Sequence, residues 1–245
     1  MKFEDAKIFI AILDYPYIES ECVVSTLSLY EYSKYLCPGG RKNRAKTTSV
    51  NDVELCFACG TSPARAHNKA IKDFLDDPRG FKHLLIIGRD HIFKCDALQI
   101  LFEADKDIIA GITTGRLRAM SQLREPVWSV VSDWQDGIPV TLTRIQCLEK
   151  IKKEKYQPFE VSAIGDGLML IKRKVFEKLP SPWFYEPPIP HEQRVNLKGA
   201  TGGTIGCDIV FCREAQKRGF KIWAHPGVQY VHIGRSYSAV EYKAD

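Results

Sequence analysis

Three ionisable side chains directly follow a short apolar run in the first half of the chain. Residues 84–87 are all apolar, with charge on both sides of the segment, and Arg89, Asp90 and His91 come after Gly88. Such a run is typical of a parallel strand buried on both faces. Because open α/β sheets bind ligands at the carboxyl ends of their strands, this cluster is predicted to lie at a ligand site. A strand-to-helix turn with a capping aspartate is the alternative.

Asp166 and Asp208 are further carboxylates in positions that suit chemistry. Asp166 stands between Gly165 and Gly167 with apolar runs on both sides. Glycine allows a ligand to approach the backbone closely, although a β-bulge with a surface aspartate gives the same pattern. Asp208 stands at the start of a predicted helix that Gly219 ends, so it is either a functional carboxylate or a helix cap.

Arg65 and Asn68 are predicted to lie near the start of a helix. Ser62 is a candidate N-cap and Pro63 suits the first helical position, directly after the strand predicted at 53–58. Because Arg65 and Asn68 are three residues apart, they share a helix face, which can point to the carboxyl edge of the sheet.

Two polar residues end other predicted strands. Asp14 follows the apolar run 8–13, and His232 follows the run 228–231. A single histidine after a strand is more often a structural residue than a ligand, so its position alone assigns it no role.

Trp183 lies in a proline-rich stretch together with Phe184 and Tyr185. Such an aromatic cluster is either a platform on which a sugar or base stacks or a cover for the edge of a core. The glycine-rich segment 195–206 that follows is either a loop that closes over a ligand or a disordered tether.

The order of the elements predicts an α/β fold. Up to Gly111 the strand-like and helical patterns alternate as βαβαβαβ, which favours a mostly parallel sheet flanked by helices. In the second half, strand-like pieces at 128–131, 140–142 and 160–164 are separated by polar turns, which predicts a smaller mixed sheet.

Composition narrows the class of protein. The 245 residues carry a net charge of +5, which is compatible with a polyanionic partner but does not establish one. No apolar run approaches the roughly 20 residues needed to span a bilayer, and the acidic start is unlike a signal peptide. Scattered cysteines are typical of reduced thiols, so a cytoplasmic location is expected; Cys56 and Cys59 are either a zinc pair or ordinary packing residues.

Taken in order, these motifs resemble a glycosyltransferase of the GT-A type, similar to family 2 and its viral and bacterial relatives. The resemblance covers most of the chain and rests on the strand ending at Asp14 and on segments 64–68, 84–93, 109–111, 164–171, 206–212 and 232–234. It implies one GT-A (Rossmann-like) domain over 1–245, with a nucleotide-sugar-binding half at 1–118 and an acceptor and catalytic half at 119–245.

The resemblance also implies roles for individual residues. Asp90 and His232 would ligate Mn²⁺ or Mg²⁺ at the diphosphate of a nucleotide sugar, with UDP as the expected nucleotide, and Asp208 would deprotonate the acceptor hydroxyl. The resemblance assigns a second group of residues to nucleotide-sugar binding: Asp14, Arg65, Asn68, Arg89, Asp90 and Gly111. It assigns a third group to the acceptor side: Asp166, Gly167 and Trp183.

Two departures from the family pattern keep other functions open. Gly88 replaces the first aspartate of the usual Asp-x-Asp motif, and Cys207 replaces the glutamate that usually precedes Asp208. Arg89 could therefore neutralise a leaving diphosphate without a metal. A degenerate nucleotide-, glycan- or nucleic-acid-binding module and a sugar nucleotidyltransferase are the alternatives. The acceptor could be a glycan, a modified nucleic acid, a lipid-linked sugar or a protein.

Overall fold

The structure is a computed structural model that describes residues 2–14, 18–34, 52–113, 127–135, 138–188 and 205–233. Its strands are β1 Lys7–Asp14, β2 Asp52–Cys59, β3 His83–Ile87, β4 His91–Ile92, β5 Ile108–Thr113, β6 Val127–Gln135, β7 Ile138–Thr143, β8 Phe159–Val161, β9 Ala163–Ile164, β10 Leu168–Lys172 and β11 Ile222–His232. Its helices are α1 Ser20–Lys34, α2 Pro63–Asp76, α3 Ala97–Glu103, α4 Arg144–Lys153, α5 Arg173–Lys178 and α6 Cys207–Gln216.

Within these residues the main sheet has eight strands, in the order β2-β1-β3-β10-β5-β11-β4, with β8 also paired to β11. Strands β2, β1 and β3 are mutually parallel, as are β5 and β11. The predicted mostly parallel sheet flanked by helices is therefore confirmed.

Strand β10 interrupts the parallel arrangement. It runs antiparallel between β3 and β5, although alternating strand and helix patterns predict only parallel neighbours. Because its direction is reversed, its first residue, Leu168, pairs with Ile87 at the carboxyl end of β3. Asp166 and Gly167 consequently lie at the same sheet edge as the residues that follow β3.

The second, smaller sheet is antiparallel, with the order β7-β6-β9. The strand expected at 160–164 is in fact two strands, because the chain leaves the main sheet after β8 and joins the small sheet in β9. Ser162 lies between them and donates its backbone N–H to the carbonyl of Val131 in β6. The predicted strand at 228–231 is the second part of a longer strand, β11, which has a register shift between His225 and Gln229.

Helices cover both faces of the main sheet. One buried layer contains apolar residues of α2, α5 and α6, and the other contains those of α1 and α3. All five residues of β3 are buried between the layers, as the uninterrupted apolar run predicts. Ser62 is the N-cap of α2, accepting the Arg65 N–H at 3.3 Å, and Gly219 has the positive φ expected after α6.

Some predictions fall outside the described residues. These are most of the glycine-rich loop at 195–206 and the boundary at 118/119, so the division of the domain stays a prediction. Among the residues that are described, no helix combines the length and the apolar character needed to cross a membrane.

Candidate functional site

A cavity of about 350 Å³ opens at the carboxyl edge of the parallel strands. It contains four residues that were assigned individual roles from the sequence, namely Arg89, Asp90, Asp166 and His232, together with His67 and His91, which were assigned none. The lining residues are Leu13, Pro63, His67, Gly88, Arg89, Asp90, His91, Asp166 and His232. Strands β1 and β3 end at this cavity, α2 begins there, and the turn before β10 completes its wall.

Asp90 and His232 meet in this cavity, although 142 residues separate them. The Nε2 atom of His232 lies 2.9 Å from Oδ2 of Asp90. Strand pairing produces the contact: His232 of β11 stands opposite His91 of β4, and Ile233 donates its N–H to the Asp90 carbonyl at 2.7 Å. The sheet itself therefore brings together the two residues predicted as metal ligands.

His91 is a third member of this cluster. Its Nδ1 atom lies 3.4 Å from Oδ1 of Asp90, and its ring centroid lies 4.4 Å from that of His232. Each of Asp90, His91 and His232 offers one possible ligand atom, and these three atoms all lie within 4.8 Å of one another. We call these three residues the cation end of the cavity.

Two glycines make room for the His91 ring. A Cβ on Gly88 would lie 2.6 Å from Nδ1 of His91, and one on Gly167 would lie 2.6 Å from Nε2. Both distances are shorter than van der Waals contact. Gly88 stands where the family has an aspartate, and the His91 ring occupies the space that a side chain at position 88 would need. The spacing of His91 in the sequence gives no sign that its ring replaces that side chain.

The start of α1 holds the backbone that precedes Asp90. The Glu19 N–H donates to the carbonyl of Arg89 at 3.0 Å, and the buried Cys22 thiol donates to the carbonyl of Gly88 at 3.2 Å. Cys22 is therefore an apolar core residue with one polar contact, as its burial predicts.

The chemistry of the cation end suits a transition metal. Burial, and then the neighbouring His232, lower the pKa of His91 to about 4, so its imidazole is neutral at pH 7 and keeps a lone pair for a metal. A carboxylate with two imidazoles is a donor set typical of Mn²⁺, Fe²⁺ or Zn²⁺, whereas Mg²⁺ prefers oxygen ligands. The residues therefore fit a divalent metal, with nitrogen donors favouring Mn²⁺ over Mg²⁺.

The opposite wall contains a buried pair of His67 and Asp166. Nδ1 of His67 donates to the Pro63 carbonyl at 2.7 Å, and its Nε2 contacts Oδ2 of Asp166. The His67 ring stacks on Phe184 with centroids 4.1 Å apart, and Phe184 stacks on Phe211 of α6 at 4.5 Å. We call the side of the cavity that His67 and Asp166 line the carboxylate end, and we include in it Asp208, which lies next to Asp166 but is not itself a lining residue.

Charge pairing decides the protonation of the carboxylate end. Burial alone would lower the pKa of His67, but the charge and hydrogen bond of Asp166 outweigh it and raise that pKa well above its usual value. Burial would likewise raise the pKa of Asp166, yet His67 holds it below the usual range. The two side chains are thus an imidazolium and a carboxylate.

Asp208 lies in the first turn of α6 beside this pair. Burial, and then the negative charge of Asp166, raise its pKa to about 7. The N-cap position of α6 is Gly206, not Asp208, and a Cβ on Gly206 would lie 2.6 Å from Oδ1 of Asp208. A carboxylate that takes up a proton near neutral pH has the acidity expected of a general base.

The other predicted residues differ in how directly they reach the cavity. Arg89 lines it. Asp14 ends β1 beside the lining residue Leu13, and its Oδ2 accepts from the Cys59 thiol at 3.3 Å. Arg65 is exposed, with Nη1 donating to Oγ1 of Thr61 at 2.9 Å. Their roles in nucleotide binding stay predictions.

Asn68 and Trp183 are tied to each other. The Asn68 amide donates to the carbonyls of Ala64 and Phe184, and its Oδ1 accepts the backbone N–H groups of Trp183 and Phe184. The Trp183 indole donates to the Phe176 carbonyl at 3.0 Å. The bonds from Asn68 hold the segment that contains Phe184 against the His67 ring. The Asn68 side chain therefore makes four hydrogen bonds within the protein.

Gly111 lies in β5 against the bulged part of β11. A Cβ there would lie 2.8 Å from the Val228 side chain and carbonyl, so the close approach of the two strands requires glycine. Its predicted part in binding the nucleotide sugar stays a prediction.

His67 is the functional candidate that sequence reasoning missed. It belongs to the segment 64–68 that carries part of the resemblance, but its partner Asp166 is 99 residues away. Two residues so far apart leave no spacing pattern that could have identified the pair.

Comparison of the sequence with models of protein families finds no match, and comparison with curated proteins finds none. Solved structures do resemble this one. The crystal structure of A197 from STIV matches with a TM-score of 0.53 at 16% identity, covering 93% of this chain and 85% of that one. The crystal structure of GalNAc-T7 with UDP, GalNAc and Mn²⁺ matches with a TM-score of 0.54 at 12% identity, covering 95% of this chain and 44% of that one.

These structures establish the fold. The chain has a GT-A-type fold, with the mixed main sheet, its helices and the small antiparallel sheet described above. GalNAc-T7 is a glycosyltransferase, and the chain spans 44% of its length.

Proposed function

We propose that this protein is a glycosyltransferase that moves a sugar from a nucleotide-sugar donor to an acceptor hydroxyl, assisted by a divalent cation, with Asp208 as general base. One observation carries the proposal: at the ligand-binding edge of a GT-A-type fold, a metal-ligand cluster and the Asp166 carboxylate share one cavity, and Asp208 lies next to Asp166. Sugar transfer needs both, because it makes an anionic leaving group and releases a proton.

Asp90, His91 and His232 would hold the cation. When bound, such a cation stabilises the negative charge that develops on the departing diphosphate. Arg89, at the same end of the cavity, supplies a permanent positive charge for the diphosphate oxygens. UDP is the first nucleotide to test, because the similar GalNAc-T7 structure contains it with Mn²⁺. In this proposal the sugar–phosphate bond would lie between the two ends of the cavity.

Asp208 would take the proton of the acceptor hydroxyl. As the hydroxyl oxygen forms its bond to the anomeric carbon, the bond from that carbon to the diphosphate oxygen breaks, and the nucleoside diphosphate leaves with the electron pair. Half-buried beside Asp166, Asp208 has its pKa raised to about 7, so it is a base strong enough to accept a proton and is ionised above neutral pH.

A donor panel tests this function directly. UDP-, GDP- and dTDP-linked sugars are incubated with a glycan, a lipid-linked sugar, a modified nucleic acid or a peptide as acceptor, in Mn²⁺, in Mg²⁺ and in EDTA. The expected result is release of nucleoside diphosphate with at least one donor, faster in Mn²⁺ than in Mg²⁺, and abolished by EDTA. Full activity in EDTA would assign the leaving-group role to Arg89 alone.

A nucleotide- or glycan-binding module is the second candidate. Its support is Cys207, which stands where a second carboxylate is expected and instead lies against His67 with its thiol pKa raised by burial. Under this alternative, calorimetry with the same donors in Mn²⁺ detects binding, yet no donor is hydrolysed or transferred.

A further inference from the structure

The two ends of the cavity differ in charge, and this difference restricts how a nucleotide sugar lies in it. The cation end combines Arg89 with the metal-ligand cluster of Asp90, His91 and His232. The carboxylate end contains Asp166 in its ionised form, with its side chain 18% exposed at the cavity wall. An ionised carboxylate only accepts hydrogen bonds, so Asp166 offers no donor to the oxygens of a diphosphate, whereas hydroxyl groups would donate hydrogen bonds to it.

Asp166 is also outside the metal-ligand cluster. The cluster of close ligand atoms found among the described residues comprises Asp90, His91 and His232 and does not include Asp166. Asp166 nevertheless shares the cavity with them, because the Gly88 N–H donates to the Gly167 carbonyl at 2.9 Å and joins the two walls. Its carboxylate is therefore available to a part of the ligand that lies beyond the diphosphate.

His67 fixes the Asp166 carboxylate in place. Its Nδ1 must carry a proton, because it donates to the Pro63 carbonyl, and its Nε2 contacts Oδ2 of Asp166. The ring cannot turn easily, because it is buried and stacked on Phe184, whose backbone N–H and carbonyl are both bonded to the Asn68 side chain. A ring held at both nitrogens and on one face orients its partner without touching the ligand.

We propose, resting on the glycosyltransferase function above, that Asp166 binds hydroxyl groups of the donor sugar and that His67 is the positioning residue that orients it. The diphosphate then lies at the cation end and the sugar at the carboxylate end, which brings the anomeric carbon towards Asp208. Asp166 is consequently a determinant of sugar specificity and has no part in binding the nucleotide.

Comparing a nucleotide with its sugar conjugate isolates this contact. Dissociation constants in Mn²⁺ are measured by calorimetry for UDP against UDP-glucose, UDP-galactose and UDP-N-acetylglucosamine, and for GDP against GDP-mannose. Asp166→Asn is expected to weaken binding of the preferred sugar nucleotide about 10- to 100-fold, the effect of one hydrogen bond to a charged group, and to leave its nucleoside diphosphate unchanged.

The variant is chosen so that it folds. With Asn at 166, the amide can donate to a neutral Nε2 of His67 while Nδ1 keeps its bond to Pro63, so the buried contact survives without charge. Asp107→Asn is the matched control, because Asp107 is a carboxylate paired with Lys174 at 2.8 Å, before the start of β5 and outside the cavity lining. It should change neither dissociation constant.

His67→Gln tests the positioning role. It is expected to weaken sugar-nucleotide binding in the same direction, with UDP or GDP binding unchanged, which general damage to the fold would not produce. Equal weakening of nucleotide and sugar nucleotide, or no change in their ratio in Asp166→Asn, overturns the assignment of Asp166 while the glycosyltransferase proposal stands. A wild-type protein that binds none of these nucleotides overturns both.

Discussion

Both ends of the cavity contain an aspartate against a histidine, yet the two pairs differ in protonation. At the cation end, Asp90 lies against His232 and His91, and the pKa of His91 is lowered to about 4. At the carboxylate end, Asp166 lies against His67, whose pKa is raised well above its usual value. His91 is neutral at pH 7, and His67 is an imidazolium.

Neighbouring charges explain the difference, because burial acts in the same direction on both rings. Burial disfavours the charged form of any imidazole. His91 has a second histidine beside it, which adds to that effect, whereas His67 has a carboxylate in direct contact, which reverses it. The same two residue types thus form a candidate set of metal ligands in one place and a self-neutralised ion pair in the other.

This contrast teaches what each end can do. The neutral imidazole of His91 keeps a lone pair beside the Asp90 carboxylate, so this end suits metal binding. A carboxylate that already has its own imidazolium needs no metal and can instead contact hydroxyl groups. The contrast also predicts that substitutions at the two ends affect different measurements.

The largest expected effect is at the carboxylate end, where Asp208→Asn removes the proposed base. Turnover should fall by about 10²- to 10⁴-fold, the usual contribution of general base catalysis. Binding of the donor and of Mn²⁺ should not change, because Asp208 contacts neither in this scheme. Steady-state kinetics and calorimetry on the same preparation check both parts, with Asp107→Asn as the control. Turnover close to that of the wild type would exclude Asp208 as the base.

The next largest effect is at the cation end, where Asp90→Ala and His91→Ala each remove one ligand. Mn²⁺ affinity should fall by more than about 100-fold, since the loss of even an outer partner of a ligand costs 10- to 100-fold. Electron paramagnetic resonance of free Mn²⁺ measures this without any substrate.

Two controls sharpen the metal prediction. His225→Ala removes a histidine of β11 outside the cavity lining, and Asp166→Asn alters only the carboxylate end, so both should bind Mn²⁺ as the wild type does. An undiminished Mn²⁺ affinity in His91→Ala would leave Asp90 and His232 as the metal ligands and return His91 to a packing role.

The elements that position the site were largely predictable from the sequence, because their signals are local. The apolar run 84–87 predicts β3, and Ser62 with Pro63 predicts the start of α2. The antiparallel insertion of β10 was not predictable, because strand direction depends on which neighbours a strand joins and not on its own residues. That insertion is what brings Asp166 into the cavity.

The partners within the site were predictable only in part. The meeting of Asp90 and His232 followed from the resemblance, since 142 residues separate them. His91 as their companion depends on space left by Gly88 and Gly167, and steric fit between distant segments has no sequence pattern. Sequence reasoning thus found Asp90, Asp166 and His232, but neither the role of His91 beside Asp90 nor the pairing of His67 with Asp166.

Because the His91 ring lies against Gly88, a larger residue at position 88 should lower the stability of the protein moderately. Gly88→Ala places a Cβ 2.6 Å from Nδ1 of His91, so it should lower the free energy of unfolding by about 1–3 kcal/mol, as overpacking of a buried site does. His91→Ala removes the obstacle, so the double variant should lose less than the sum of the single variants. Urea unfolding of the four proteins measures the coupling. Additive losses would show that Gly88 is not required to accommodate His91.

The smallest expected effect is a shift in the pH dependence of activity in Asp166→Asn. It tests whether the charge of Asp166 influences the pKa of Asp208. Because the pKa of Asp208 is raised to about 7, it is protonated and inactive as a base below that pH, so kcat/KM should rise through about pH 7. Asp166→Asn removes the negative charge that helps to raise this pKa, but it also removes the positive charge of His67, which acts in the opposite sense.

The first of these charges has the larger influence on Asp208, so the acidic limb of the Asp166→Asn profile should move to lower pH. Activity of this variant is measured at saturating donor, so that weaker sugar binding does not distort the profile, and the limb is compared with that of Asp107→Asn. A limb that stays at the same pH, or moves up, would mean that Asp166 does not set the acidity of Asp208, and the carboxylate end would then be two independent residues.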